Sequence, residues 1–173
     1  MCIRDRLKKG TNTITLTKAT FFAEIDAFDV YDASHVPDPK GPPAGSTTTR
    51  YEAELGTVTS ARVVGDARAS GGAKVGGMDF ADSSVSLQVY AEKGGPATLG
   101  IRFANGSDRG GYPVQSTDAV TVNGKAAGTV TFPYTRWDNW TTIEHSVLLK
   151  KGWNTVTLTR GTFYAEIDAV DVS

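Results

Sequence analysis

A single cysteine, Cys2, excludes an internal disulfide and any cysteine-based zinc site. The two histidines, His35 and His145, lie far apart in sequence and read as ordinary surface residues. No apolar run approaches the roughly 18 to 20 residues needed to cross a bilayer as a helix, so no membrane insertion is expected. The 18 Lys and Arg are interspersed with 19 Asp and Glu, giving a formal charge of -1. That balance offers no broad basic face for a phosphate backbone, which argues against a nucleic-acid partner. Catalytic signatures are missing too: there is no G-x-S-x-G elbow, no H-E-x-x-H, and no phosphate-binding glycine loop ahead of a helix. Asp79, Asp82 and Asp118 are scattered in turns, without a spacing that would set an acid and a base across a glycosidic bond. No catalytic residues are assigned, and the chain is not expected to be an enzyme. Met1–Arg6 has neither the apolar stretch nor the cleavage site of a secretory signal, and residues 1–6 read as a scar or truncated start.

What is present is a repeat. "LKKGTNTITLTKATFFAEIDAFDV" (Leu7–Val30) returns as "LKKGWNTVTLTRGTFYAEIDAVDV" (Leu149–Val172), matching at roughly three quarters of its positions without a gap. Between the copies, residues 31–50 concentrate Pro, Gly, Ser and Thr, a composition suited to an extended linker. The expected organisation is therefore the last two strands of a preceding module over residues 7–30, a linker over 31–50, and one complete module over 51–173. A rival reading has the first copy pair with the complete module by strand exchange, because two strands with open edges are not stable alone.

Within the complete unit, "SVSLQVYA", "ATLGIRFA", "AVTVNG", "GTVTF", "IEHSVLLK" and "NTVTLTR" alternate with period two and are rich in β-branched residues. Between them stand turn residues: Gly94, Gly95 and Pro96; Asn105 and Gly106; Asn123 and Gly124; Lys151 and Gly152. Many short strands separated by such turns, with no capped helical pattern, predict an all-β sandwich.

With "YEAELG", "ASGGAKVGGMD", "IRFANGSDRGG", "VTVNGKAAGTVTFPYTRWDNW", "LLKKGWNTVTLTR" and "AEIDAVDV" in this order, the chain resembles the carbohydrate-binding modules of family 35 and their relatives in family 6. The resemblance covers Tyr51 to Ser173. It implies a β-sandwich jelly roll of the galactose-binding-like kind, a structural calcium near the chain ends, and a sugar site in loops at one edge. It also implies a secreted or extracellular setting and covalent attachment to a glycoside hydrolase or polysaccharide lyase, with a polysaccharide or oligosaccharide as partner.

Glu52 and Glu54, two apart in an extended strand, would point their carboxylates the same way and need a cation. Calcium prefers six to eight oxygens. In the resembling modules the positions of Glu52, Glu54 and Asp168 bind it, with a loop carbonyl that here falls around Ala69 to Gly72. Glu166, on the same face as Asp168, extends that site or lies at its rim, and stands where an asparagine is common in the relatives. A solvated acidic strand is the alternative.

The segment "YTRWDNW", Tyr134 to Trp140, reads as a loop too polar around its aromatics to be simple core. Aromatic faces suit the C–H patches of sugars, and Asn, Asp and Arg suit their hydroxyls. The relatives use a tryptophan at the position of Trp137 as a stacking platform; Trp140 is expected to pack against the sandwich, and Asn139 to reach the sugar. In "ANGSDRGGYP", Asn105, Arg109 and Tyr112 are candidate sugar contacts, and a guanidinium at Arg109 suits a uronic acid as well as galactose- or mannose-type sugars. Lys74 stands where many relatives carry a second aromatic, which leaves a one-sided platform and a basic contact. The same departure supports the rival function, a structural or protein-interaction sandwich of a cell-surface protein that binds no sugar.

Overall fold

The computed structural model describes residues 48–173. The first repeat copy (7–30), the start (1–6) and nearly all of the 31–50 linker lie outside the described residues.

Thirteen strands are described. One sheet contains β1 (Thr49–Glu52), β3 (Arg62–Gly65), β4 (Ala73–Gly76), β6 (Gly95–Asn105), β11 (Arg136–Leu149) and β13 (Glu166–Val172), in the order β11-β6-β13-β4-β3 with β1 also paired to β13. The second contains β2 (Thr57–Thr59), β5 (Ser84–Ala91), β9 (Ser116–Val122), β10 (Lys125–Phe132) and β12 (Gly152–Arg160), in the order β10-β9-β12-β5-β2. A two-stranded ribbon, β7 (Asp108–Arg109) and β8 (Tyr112–Pro113), stands in the loop after β6. Every pairing is antiparallel, and the two sheets face each other as a β-sandwich jelly roll.

The alternation read from the sequence sets the core. In β5, Val85, Leu87 and Val89 are buried; in β12, Asn154, Val156 and Leu158; in β6, Leu99, Ile101 and Phe103. Phe103 of one sheet meets Phe132 of the other with ring centroids 4.7 Å apart. Each such side chain, taken fully out of water, contributes about 1.5 to 3 kcal/mol. The Asn123-Gly124 turn closes β9 onto β10 with both residues at positive φ (52° and 77°), the twist-matched two-residue hairpin. Asn154 is buried because its amide closes the turn before β12, receiving the Lys150 N–H at 2.9 Å and donating to the Lys150 and Gly152 carbonyls.

Three expectations are corrected. The first strand starts at Thr49, two residues ahead of the expected boundary, since Thr49 to Glu52 pair with Val172 to Ala169 and Arg50 forms a two-pronged salt bridge with Asp171, both contacts 2.7 Å. Ala53–Leu55 is a 3-10 turn rather than strand, so Glu52 and Glu54 do not alternate along one extended face. "YTRWDNW" is not all loop: from Arg136 onward it is the start of β11, with the register against β6 broken between Arg136 and Thr141.

Two inward positions of β9 break the apolar pattern. In β9, Ser116, Asp118, Val120 and Val122 alternate inward, which puts a carboxylate and a hydroxyl in the interior with no exposure. Neither Asp118 oxygen nor Ser116 Oγ has a hydrogen-bond partner among the described residues.

Candidate functional site

The loops at one end of the sandwich form a cleft of about 350 Å³ lined by Asp79, Gly106, Ser107, Asp108, Trp137, Arg160, Phe163 and Tyr164. Trp137 comes from the irregular first turn of β11, and its indole stacks on Tyr164 with centroids 5.2 Å apart and planes 24° apart. Gly106 is what lets the ring sit there, because a Cβ on it would lie 2.5 Å from the indole. Substituting Gly106→Ala is therefore expected to displace Trp137 and weaken ligand binding without deleting any ligand-facing group. Titration of a bound sugar together with tryptophan fluorescence checks this; unchanged affinity and spectrum would show that the indole does not depend on this contact.

The polar groups of the cleft are positioned from below. Arg160 leaves the end of β12 and donates from Nε to the Phe163 carbonyl at 2.8 Å, with Phe163 held at φ 51°, a strained backbone for a bulky residue. Ser107 donates to the Tyr164 carbonyl at 2.8 Å. The Tyr164 phenol is raised above its ordinary value by burial first, then by the Asp79 and Glu166 charges. It thus stays a neutral donor beside the carboxylates.

Not every sequence candidate enters this cleft. Asn105 is fully buried, its amide donating to the Val114 and Phe132 carbonyls and accepting the Ser107 N–H. It shapes the loop and has no free group for a ligand, which corrects its assignment as a sugar contact. Lys74 is 9% exposed, and its ammonium lies 2.6 Å from Glu166 and 3.2 Å from Asp66, over the Trp140 ring. That pairing corrects two assignments: Lys74 is not a free basic contact, and the Glu166 carboxylate is neutralised by Lys74. Arg109 and Tyr112 are exposed on the β7–β8 ribbon, next to the lining residue Asp108. Asn139 is exposed in the irregular part of β11. Trp140 is half-buried on the outer face of its sheet, with the Arg102 guanidinium 5.3 Å from its centroid.

Asp79, Ser107, Arg160, Phe163 and Tyr164 were missed by sequence reasoning. They come from three separate segments of the chain, and no local pattern links them.

A second constellation lies where the first and last strands meet. Ser70 Oγ donates to Glu52 at 2.6 Å and lies 3.1 Å from Asp168. The Cβ position of Gly71 falls against the Glu54 carboxylate and 3.5 Å from the Glu52 carboxyl carbon, so both glutamates reach one point beside this loop. Asp168 is fully buried and takes Arg102 as ion-pair partner through Oδ2, while its Oδ1 and Glu54 Oε2 are buried without a partner. The Glu54 carboxyl is raised, by burial first and by the Glu52 and Asp168 charges. As they stand, no three metal-ligating side chains among the described residues form a closed metal site. The two orphaned carboxylate oxygens, in an all-oxygen set, nevertheless fit a hard cation.

A larger apolar groove of about 810 Å³ runs between the edge strands β10 and β11, lined by Pro96, Val122, Val147 and Leu148 among others, but it has no aromatic ring. The Trp137 cleft has a stacked aromatic wall and convergent polar groups.

Known proteins fit this picture. A curated isomaltosyltransferase from Sporosarcina globispora is 29% identical over 114 residues, which is 65% of this chain and 10% of that protein. The chain thus spans about a tenth of the length of that relative. A family 35 carbohydrate-binding module from Clostridium thermocellum is 28% identical with a TM-score of 0.66, covering 72% of this chain and 98% of that one. A Listeria monocytogenes protein solved with glucose, magnesium and calcium is 29% identical with a TM-score of 0.65, covering 72% of this chain and 12% of that one. The model of the carbohydrate-binding module family 35 matches residues 49–173, the whole of the sandwich with its Trp137 cleft, and the chain belongs to that family.

Proposed function

We propose that the Trp137 cleft binds a single sugar unit of a polysaccharide, and that the module holds an attached carbohydrate-active enzyme near its substrate outside the cell. The stacked Trp137–Tyr164 wall is the observation that carries this reading: an apolar face ringed by hydroxyl-reading groups. The module supplies local concentration. Asp79 and Asp108 bring two carboxylates to the cleft against the one guanidinium of Arg160. That balance favours a neutral, hydroxyl-rich ring of the glucose, galactose or mannose type over a uronic acid, whose carboxylate would meet like charges.

Calcium is part of the same reading. Glu52, Glu54 and Asp168 would hold it, and it would supply the positive charge that the orphaned oxygens lack, tying the first strand's end to the last strand. The Listeria relative's calcium supports the choice of ion. The repeat over residues 7–30 belongs on this reading to a preceding copy of the module, and two copies on one polysaccharide would bind with raised effective concentration.

The test is calorimetric titration of the chain, in calcium, with glucose, galactose, mannose and glucuronic acid and with their oligosaccharides. A neutral sugar should bind, and Trp137→Ala should weaken it by about tenfold or more, the scale of one lost aromatic contact. Absence of heat with every sugar would overturn the reading in favour of a structural sandwich.

A further inference from the structure

Large apolar side chains exposed among the described residues sort by chemistry and by place. Leu55, Val63 and Leu148 are aliphatic and lie apart from the Trp137 cleft, Leu148 in the groove between β10 and β11. The three aromatics, Phe80 (64% exposed), Tyr112 (76%) and Tyr134 (42%), all stand in the loops that build the Trp137 cleft. Phe80 follows the lining residue Asp79. Tyr112 pairs with Arg109 on the ribbon that begins at Asp108. Tyr134 precedes Thr135, whose N–H donates to the Asn105 carbonyl at 2.8 Å and whose hydroxyl accepts the Asn105 N–H, beside Gly106.

Each exposed ring is carried on an anchored backbone. The Phe80 N–H donates to Ser83 Oγ at 3.0 Å, the Ser83 N–H returns to the Phe80 carbonyl, and the Ser83 carbonyl accepts the Arg160 N–H at 2.9 Å. The Tyr112 ribbon is closed by Gly111 N–H to Asp108 and by Val114 N–H to the Ser107 carbonyl. Exposed rings carried on an anchored backbone offer apolar platforms near a binding cleft, and the loops that bear them need little ordering on binding.

Resting on the sugar-binding reading above, we propose that the cleft is the centre of an extended site, in which Phe80, Tyr112 and Tyr134 stack on the sugar units flanking the one held at Trp137. The ligand is then an oligosaccharide or polysaccharide segment, and a lone terminal sugar fills only part of the surface. The occupant follows from continuity: these residues stand in the same loops as the lining residues Asp79, Asp108 and Trp137, and the faces of successive sugars in one chain present the same C–H chemistry to each ring.

The experiment titrates the 173-residue chain with glucose, galactose and mannose and with α-1,6-, β-1,3- and β-1,4-linked oligosaccharides of increasing length, from disaccharide to hexasaccharide. In the series that binds, affinity should rise about tenfold or more with length. Phe80→Ala, Tyr112→Ala and Tyr134→Ala should each reduce that rise and together abolish it, leaving monosaccharide affinity and Tm unchanged; Leu148→Ala, remote and exposed, should change nothing. Equal affinity for monosaccharide and hexasaccharide, or a length dependence that survives all three single substitutions, overturns the extended site and leaves the cleft reading intact. No binding at any length overturns both.

Discussion

Replacing Asp118 by Asn is expected to raise the stability of the module at pH 8 and to leave it nearly unchanged at pH 4. The carboxyl is pushed up from its ordinary 3.8 to about 7, by burial above all, with the Arg160 charge only partly offsetting the effect. Its sign follows from proton linkage. Between pH 4 and 7 the folded state keeps the proton that the unfolded chain has released, so stability conferred by the neutral form is complete below pH 4, is lost as pH rises, and levels off above 7. The full span corresponds to about 4 kcal/mol, an upper figure because Asn leaves its own amide to be satisfied. For a sandwich of this size that is a Tm difference on the order of 10 °C. Thermal unfolding of both proteins across pH 4 to 8 reads it directly: parallel pH profiles would mean that Asp118 is not what makes the wild type lose stability.

Asp168→Ala should cost the module stability. The substitution strands the Arg102 guanidinium and removes the acceptor near Ser70 on the last strand. Breaking a buried pair from one side costs about 3 to 5 kcal/mol, and the lower end applies because Arg102 keeps 23% of its side chain in water. The same variant tests the metal. Calcium at a hundred times its Kd would stabilise the wild type by about 2.7 kcal/mol, an increment that chelator removes and that Asp168→Ala should lack. A variant that still gains stability from calcium would place the ion elsewhere; the double substitution with Arg102→Ala separates the ion-pair loss from the metal loss.

How far the sequence could be read depended on whether the determinant was local. Strands β5, β9, β10 and β12 were legible because one face of each is buried and the other wet, so period-two alternation records the burial directly. The short strands β2, β3 and β4 carry too few residues for alternation to show; Lys74 and Gly76 of β4 are buried by neighbours that only the fold brings near. Glu52, Glu54 and Asp168 do come near one another, but the route read from the sequence was wrong, since a 3-10 turn and not strand alternation brings the two glutamates together. Trp137 stood out by the polar residues around it and does line the cleft, whereas Arg160 and Tyr164 were invisible because the repeat read as strand, turn, strand with nothing to say that the turn faces a cleft. Lys74 and Asn105 show the opposite failure: polar residues in glycine-rich stretches look available until the structure reveals their partners.

The pairing of Thr49 with Val172 has a mechanical meaning. Chain enters and leaves the sandwich at the same end of one sheet, through two neighbouring antiparallel strands, so a pull transmitted along the polypeptide opens their hydrogen bonds one after another, as a zipper does, instead of shearing them all at once. Such a module would yield at low force, beginning at the Arg50–Asp171 clasp, and a cation shared by Glu52 and Asp168 would act as the stop that keeps the opening from reaching the core.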